Sequence, residues 1–219
     1  MLYALDINGQ LIRPSEHRQE ATDPFSGATV YGIVGAGLNY WRHDGDLYDS
    51  WALPNATWNL EWKLLFPSNI VEISVQGHTE RHVADVRANN GAVIKFQSRM
   101  LDSKQLRERE LFFDKMIWVF KTDKWDMNIN PEETVSSYIN TEGKSRQLPI
   151  SDKFKWCKFR ASYPKIAFKA CKMPVFLDFG DENLYWFNWQ LFSNVNNDFN
   201  PSNGVLKFFP KEQFIAKYQ

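Results

Sequence analysis

The sequence predicts a mixed α/β protein of the α+β kind. Its expected centre is a helix–strand–strand–strand–helix–strand core with a mixed sheet, preceded by a β-hairpin region and followed by an aromatic, basic, β-containing lobe. Three observations predict it. Between Thr57 and Phe120 the apolar period changes from helical to strand-like, back to helical, and again to strand-like. Ahead of that stretch the chain combines turn glycines with β-formers. Behind it, "PVFLDFG" and "LYWFNWQLF" read as strands. The 219 residues suffice for one large domain or a domain with an appended lobe, and 43% hydrophobic with 16% aromatic content supports a packed core and argues against disorder.

Taken in order, "LYALD" and "QLIRP" flank Asn8-Gly9, the strongest short hairpin signal. "GATVYGIVGAGLNYWRHDG" is glycine-rich and β-like. Asn55 or Thr57 is a helix cap, Trp58, Trp62 and Leu65 recur at helical spacing, and Pro67 stops the run. "NIVEISVQ", "RHVADVRA" and "AVIKFQS" follow as three strands, with Asn89-Asn90-Gly91 as a tight turn between the last two. Asp102 or Ser103 caps a second helix on which Leu106, Glu110 and Phe113 share a face. "MIWVF" is apolar throughout, as a buried central strand is. A short helix is expected at "PEETVSSYI", and "DEN" joins the two late strands as a hairpin. The organisation expected is therefore a β-rich N-terminal region (1–54), a core (55–121), a polar insertion or linker (122–151) and a C-terminal lobe packed on the core (152–219).

Composition narrows the function classes. Twenty-six basic residues balance twenty-six acidic ones, so only a local patch could recognise nucleic acid. Two cysteines, Cys157 and Cys171, argue against a disulfide framework and against a four-cysteine zinc site, and favour a reducing compartment. Asp6 and Asn8 interrupt the first apolar run, so no signal peptide is expected, and no run reaches the roughly 18 apolar residues of a membrane span. The expectation is a soluble, cytoplasmic protein with no membrane partner.

The α-β-β-β-α-β order resembles the core of the PD-(D/E)xK nuclease superfamily, the restriction-endonuclease-like fold. In that arrangement an acid late in the second strand and another on the third strand converge on Mg²⁺. Two residues further along the third strand, on the same face, stands a lysine or its substitute. The metal lowers the pKa of the attacking water and clamps the scissile phosphate. Asp85 in "HVADV" fits the first acid, position 95 the second, and Gln97 the lysine substitute. Seven segments in order sharpen the resemblance to the competence protein CoiA-like nuclease family: "YALD" with its glycine turn, "YWRH", "WNLEWKLLFP", "HVADV", "VIKFQ", "ERELFF" with "MIWVF", and "MPVFLDFGDENLYWF". The resemblance implies a metal-dependent DNA endonuclease, with Mg²⁺ or Mn²⁺ as cofactor and DNA as partner.

The departures from the family pattern bear on chemistry. Its third-strand glutamate is Lys95 here, the histidine of its first core helix is Asn59, and the acid before the tryptophan is Thr57. The cysteine pair of many relatives would fall near Val30 and Ile33. An ammonium group cannot ligate Mg²⁺, and at an effective dielectric of about 20 two unit charges 4 Å apart interact by roughly 4 kcal/mol. Metal binding is therefore expected to be impaired. Glu61 is the candidate replacement ligand beside Asp85, with Glu72 a further candidate. Alternatively, Lys95 pairs with Asp85 and holds a phosphate. A degenerate natural copy, an inactivated variant and an enzyme with a relocated acid all stay open.

A binding surface is expected as well. Lys144 to Lys172 carries nine Lys/Arg against one Asp, with Phe154, Trp156, Phe159, Tyr163 and Phe168 interleaved. Cations meeting phosphates and rings stacking on bases have that composition, as does a solvated segment with buried rings. Lys153, Lys155, Lys158 and Arg160, together with His43 and His82, are the candidate DNA contacts. Arg107 or Glu110 could also face the site. Trp58, Trp62, Trp118, Trp186 and Trp189 are expected in the core. The class alternative to an enzyme is a non-catalytic DNA-binding or protein-interaction module on a nuclease scaffold, with a protein partner or a second copy as occupant.

Overall fold

The structure is a computed structural model describing residues 1–35, 37–45, 51, 57–99, 101–122, 127–139, 144–161, 171–188 and 202–219. It is a mixed α+β protein in which strands dominate. Its contacts divide it into two compact units, residues 1–94 with Gln219, and residues 95–218.

The first unit opens with five antiparallel strands in the order β2-β1-β3-β4-β5: β1 (Ala4–Leu5), β2 (Leu11–Ile12), β3 (Glu20–Thr22), β4 (Thr29–Ile33) and β5 (Tyr40–His43). The expected first hairpin forms, with Gly9 at φ +76° and the Asp6 amide donating to the Gln10 carbonyl at 2.9 Å. Gly32 is required sterically: a Cβ there would lie 2.6 Å from the Glu16 carbonyl oxygen and 2.9 Å from Pro14 Cβ. Ala4, Ala21, Val30 and Trp41 form this sheet's core, and the Trp41 indole donates to the Ile12 carbonyl at 3.1 Å.

Helix α1 (Thr57–Leu64) follows, then the antiparallel strands β6 (Val71–Gln76), β7 (Arg81–Arg87) and β8 (Val93–Gln97). The Asn55 cap lies outside the described residues. The face expected from Trp58, Trp62 and Leu65 needs correction. Trp62 is buried, but Leu65 lies past the helix end and is 46% exposed. The buried face comprises Asn59, Leu60, Trp62 and Lys63. A period counted on apolar residues misses it because half of that face is polar. Between β7 and β8, Gly91 takes φ +81° and the Ala88 amide donates to the Ala92 carbonyl at 2.9 Å, closing the expected turn.

The unit boundary falls within β8, between Ile94 and Lys95. In the second unit, helix α2 (Ser103–Phe113) starts at Asp102, whose side chain accepts from the Gln105 amide while Gln105 reaches back to the Asp102 amide, a full capping box. Leu106, Glu110 and Phe113 share its buried face as expected, joined by Arg109. Strand β9 (Met116–Lys121) is buried over its first five residues.

The remaining strands are β10 (Met127–Thr134), β11 (Ser137–Ile139), β12 (Ser145–Gln147), β13 (Lys155–Ala161), β14 (Val175–Asp178), β15 (Asn183–Phe187) and β16 (Ser202–Pro210), before helix α3 (Lys211–Tyr218). The sheet order in this unit is β10-β13-β16-β15-β14-β9-β8. Strand β14 runs parallel to β9, whereas β10–β13, β13–β16, β16–β15 and β15–β14 are antiparallel, so the sheet is mixed.

The short helix expected at "PEETVSSYI" is absent; that stretch forms the end of β10 and all of β11. Thr134 pairs with Cys157, and the Val135 amide donates to the Trp156 carbonyl at 2.9 Å. Available strand partners outweigh weak helical propensity. Pro131 is tolerated because β10 is an edge strand whose register shifts between Ile129 and Thr134. Among the described residues, no helix is long and apolar enough to cross a membrane.

Candidate functional site

Two clusters of buried polar side chains hold the residues that the sequence singles out. The first lies on α1, β6 and β7. Lys63, Glu72 and Asp85 are all buried. The pairs Val71–Val86 and Ile73–Ala84 place Glu72 opposite Asp85 on adjacent strands. Like charges in that position repel. The Lys63 ammonium answers both, at 3.1 Å from Glu72 Oε1 and 3.4 Å from Asp85 Oδ1.

Glu72 is held further by the Leu2 amide, which donates to Oε2 at 2.7 Å. Its backbone sits at φ +54°, in the left-handed region that a non-glycine residue enters at a cost of about 1–3 kcal/mol. Burial would raise the Glu72 pKa, but the Lys63 charge, then the Met1 amine and the hydrogen bonds from Leu2 and Lys63 hold it below its ordinary value. For Lys63, burial acts to lower the pKa. The charges of Glu72 and then Asp85, with hydrogen bonds to both, prevail and hold it above the ordinary lysine value. The Met1 amine itself donates to the Trp41 carbonyl at 3.0 Å, and burial pushes its pKa down to about 6.

Glu61, the sequence's candidate for a replacement ligand, is exposed. At two residues from both Asn59 and Lys63 it points about 200° away from each around the helix, so it occupies the opposite face of α1. The residue that α1 contributes to the carboxylates is Lys63. The signal in the sequence was Lys63 itself, four residues after the buried Asn59.

The second cluster lies on β8 and α2. Lys95 and Gln97, two apart on β8, are both buried, as is Arg109. The Gln97 amide is engaged at both ends: Nε2 donates to the Arg99 carbonyl at 2.8 Å, and Oε1 accepts from Arg109 Nη1 at 3.4 Å. Glu110 accepts from the Trp118 indole at 3.0 Å and from the Lys172 and Met173 amides at 3.0 and 3.2 Å, so it anchors the approach to β14. Arg107 is exposed. Of the trio Asp85, Lys95 and Gln97, the first belongs to one compact unit and the other two to the other.

The candidate DNA contacts divide sharply. His82 is buried, stacked on Trp51 at 3.4 Å between ring centres, with Nε2 3.3 Å from Glu80. His43 is half-buried with Nε2 3.3 Å from the buried Asp23. Burial depresses its pKa, opposed by Asp23. Both histidines thus have local structural partners. Lys153, Lys155, Lys158 and Arg160 are exposed. Among the described residues, the interleaved rings pack inward: Trp156 and Phe159 are buried and Phe154 is half-buried. Tyr163, Phe168 and Trp189 lie outside the described residues. Trp62 and Trp118 are in the core as expected, while Trp58 and Trp186 are half-buried.

The donor set does not fit a hydrated divalent ion. Mg²⁺ demands near-octahedral oxygen ligands at about 2.0–2.1 Å. Glu72 and Asp85 are already joined through an ammonium group, and Glu61 faces solvent. Among the described residues, no group of three or more His, Cys, Asp or Glu side chains is placed to hold a metal ion. Both thiols are pushed up to about 12, each by burial first, so the thiolate is disfavoured at neutral pH.

Comparison with family models, with curated proteins and with solved structures finds no match for this chain.

Proposed function

We propose that this chain is a CoiA-like, PD-(D/E)xK-type nuclease scaffold that holds DNA without hydrolysing it. The chain order α1-β6-β7-β8-α2-β9, with β14 parallel to β9, is consistent with a restriction-endonuclease-like core and supports the scaffold half of the reading. The observation that carries the non-hydrolytic half is the Lys63 ammonium between Glu72 and Asp85. One of their two negative charges is offset internally, and both carboxylates are engaged, before any metal arrives. Lys95 adds a further buried ammonium on the strand where the resemblance expects a ligand. The exposed Lys153, Lys155, Lys158 and Arg160 supply the phosphate contacts.

A second reading is favoured by one observation. Because Glu72 stands opposite Asp85, a rotamer change of Lys63 would leave two carboxylates on adjacent strands, the minimum for a metal-dependent endonuclease. A plasmid-nicking assay with Mg²⁺ and with Mn²⁺, alongside gel retardation over a salt series, separates the two. The non-hydrolytic reading expects no cleavage by the wild-type chain and retardation that weakens with salt. Cleavage by the wild-type chain would establish the second reading instead. Cleavage gained only in Lys95→Glu would locate the block at position 95, and absence of any retardation would remove DNA as the partner.

A further inference from the structure

Two cavities of about 440 Å³ each adjoin the β11–β12 hairpin, and Tyr138 lines both. The first lies over β10, β13 and β16, where Lys158 and Arg160 border Phe159 and Val205, with Asn128 and Asn130 as neutral polar groups. The second is bordered by Arg146, Phe154, Trp156, Trp186, Asn188 and Lys207. Lys207 Nζ lies 4.6 Å from the Trp186 ring centre and 4.9 Å from that of Phe154, so it rests against both rings. Among the described residues, no aspartate or glutamate lines either cavity. In a chain with equal numbers of acidic and basic residues, this local gathering of cations beside aromatic rings stands out as a chemical signature.

We propose that the two cavities form one binding path for single-stranded DNA, in which bases stack on Tyr138 and Trp186 while Arg146, Lys158, Arg160 and Lys207 meet the backbone phosphates. The proposal deepens the DNA-holding reading and rests on it. Its chemistry is the pairing that unpaired strands need: flat π-faces, which every base can use, beside cations that follow the backbone. A duplex keeps its bases stacked on one another and cannot use the rings, so the path discriminates strandedness rather than sequence. The charges are available at little cost. Arg146 is exposed, and the ion pair that Lys158 makes with Glu133 at 3.2 Å is itself exposed and of small net worth.

The test is fluorescence anisotropy with a labelled short oligothymidylate and, separately, a duplex of equal length, using the full chain. The oligothymidylate should bind in preference to the duplex and quench tryptophan emission. Trp186→Ala and Tyr138→Ala should each weaken it about fivefold or more. Because Trp186 also packs against Leu148, Trp156 and Val205, a third variant confined to the surface is needed. Arg146→Gln should weaken binding and flatten the dependence of log affinity on log salt by about 0.7, the release expected for one phosphate of a single strand. Lys104→Gln, on the exposed face of α2, should change nothing. Duplex binding without oligothymidylate binding would overturn this path and leave the DNA-holding reading standing. Binding of neither would remove both. Oligothymidylate binding that is indifferent to Trp186, Tyr138 and Arg146 would overturn the path alone.

Discussion

The Lys63–Glu72–Asp85 cluster and the cation-lined cavities use lysine in opposite ways. In the first, an ammonium is buried between two carboxylates supplied by the same compact unit and offsets one of their two charges. In the second, Arg146, Lys158 and Arg160 stand exposed beside apolar surface, and the described residues of the cavity linings include no acid. The first arrangement is a structural element whose parts depend on one another. The second leaves positive charge exposed to solvent. The difference separates cations spent inside the fold from cations that the proposed path would use for recognition, a distinction net charge cannot make.

The comparison is broken most severely at Lys63. Lys63→Met should leave two carboxylates facing each other in a buried site. Breaking a buried pair by removing one partner costs about 3–5 kcal/mol. Urea unfolding reads this directly, and a loss under about 1 kcal/mol would show that the cluster is solvated. Adding Glu72→Gln and Asp85→Asn to that variant should recover most of the loss, since no buried charge is then left alone.

The same cluster sets the expected pH dependence. The Glu72 pKa is lowered on folding, so its contribution is present above about 4.5 and is lost as pH falls through the lower folded value. The Lys63 pKa is raised, so its contribution is present below about 10.5 and is lost as pH rises through the higher folded value. His43, with a lowered pKa, favours its neutral form and adds a loss below about 6.5. The Met1 amine, pushed down to about 6, adds a loss that begins below about 8, so thermal melts should be highest between about pH 8 and 10 and fall off on both sides. In Glu72→Gln the acid limb should be shallower; an unchanged acid limb would deny Glu72 its role.

Glu110 belongs with Lys63 as a buried charge that holds structure, although its partners are neutral. Glu110→Ala would orphan the Trp118 indole N–H and the Lys172 and Met173 amides. Unsatisfied buried donors cost about 1–3 kcal/mol, so a loss of about 2–3 kcal/mol in urea unfolding is expected. A blue-shifted or otherwise altered near-ultraviolet signal from Trp118 should accompany it. No loss would mean that water replaces the carboxylate.

Much of the fold was legible because local signals agreed with tertiary ones. Asn8-Gly9, Asn90-Gly91 and the Asp102 cap mark their turns and helix by backbone chemistry that neighbours do not override. The failures share a cause, which is that the deciding partner is distant in sequence. "PEETVSSYI" becomes strand because β13 and β12 pair with it. In "VEISVQ", Glu72 alternates with apolar residues and so reads as a solvent-facing position. Its burial depends on Lys63, nine residues earlier, and on the Leu2 amide, seventy residues away. Strand β3 is three residues long and carries almost no pattern. Helix α3 had a readable cue in Phe214 and Tyr218, four apart and both buried.

The smallest expected effect makes the comparison sharpest, because it repeats the first operation on the other kind of lysine. Lys158→Ala also removes an ammonium from an ion pair, that with Glu133 at 3.2 Å. Both side chains are more than half exposed, at 64% and 58%, so water replaces the lost partner on either side. The change in stability should stay within about 0.5 kcal/mol, roughly an order of magnitude below Lys63→Met. The same substitution should weaken oligothymidylate binding, because the charge it removes faces a cavity. Stability and affinity thus move independently at Lys158 and cannot at Lys63, where the ammonium has no role apart from the carboxylates around it. A Lys158→Ala protein that lost stability while keeping full affinity would reverse the distinction between the two regions.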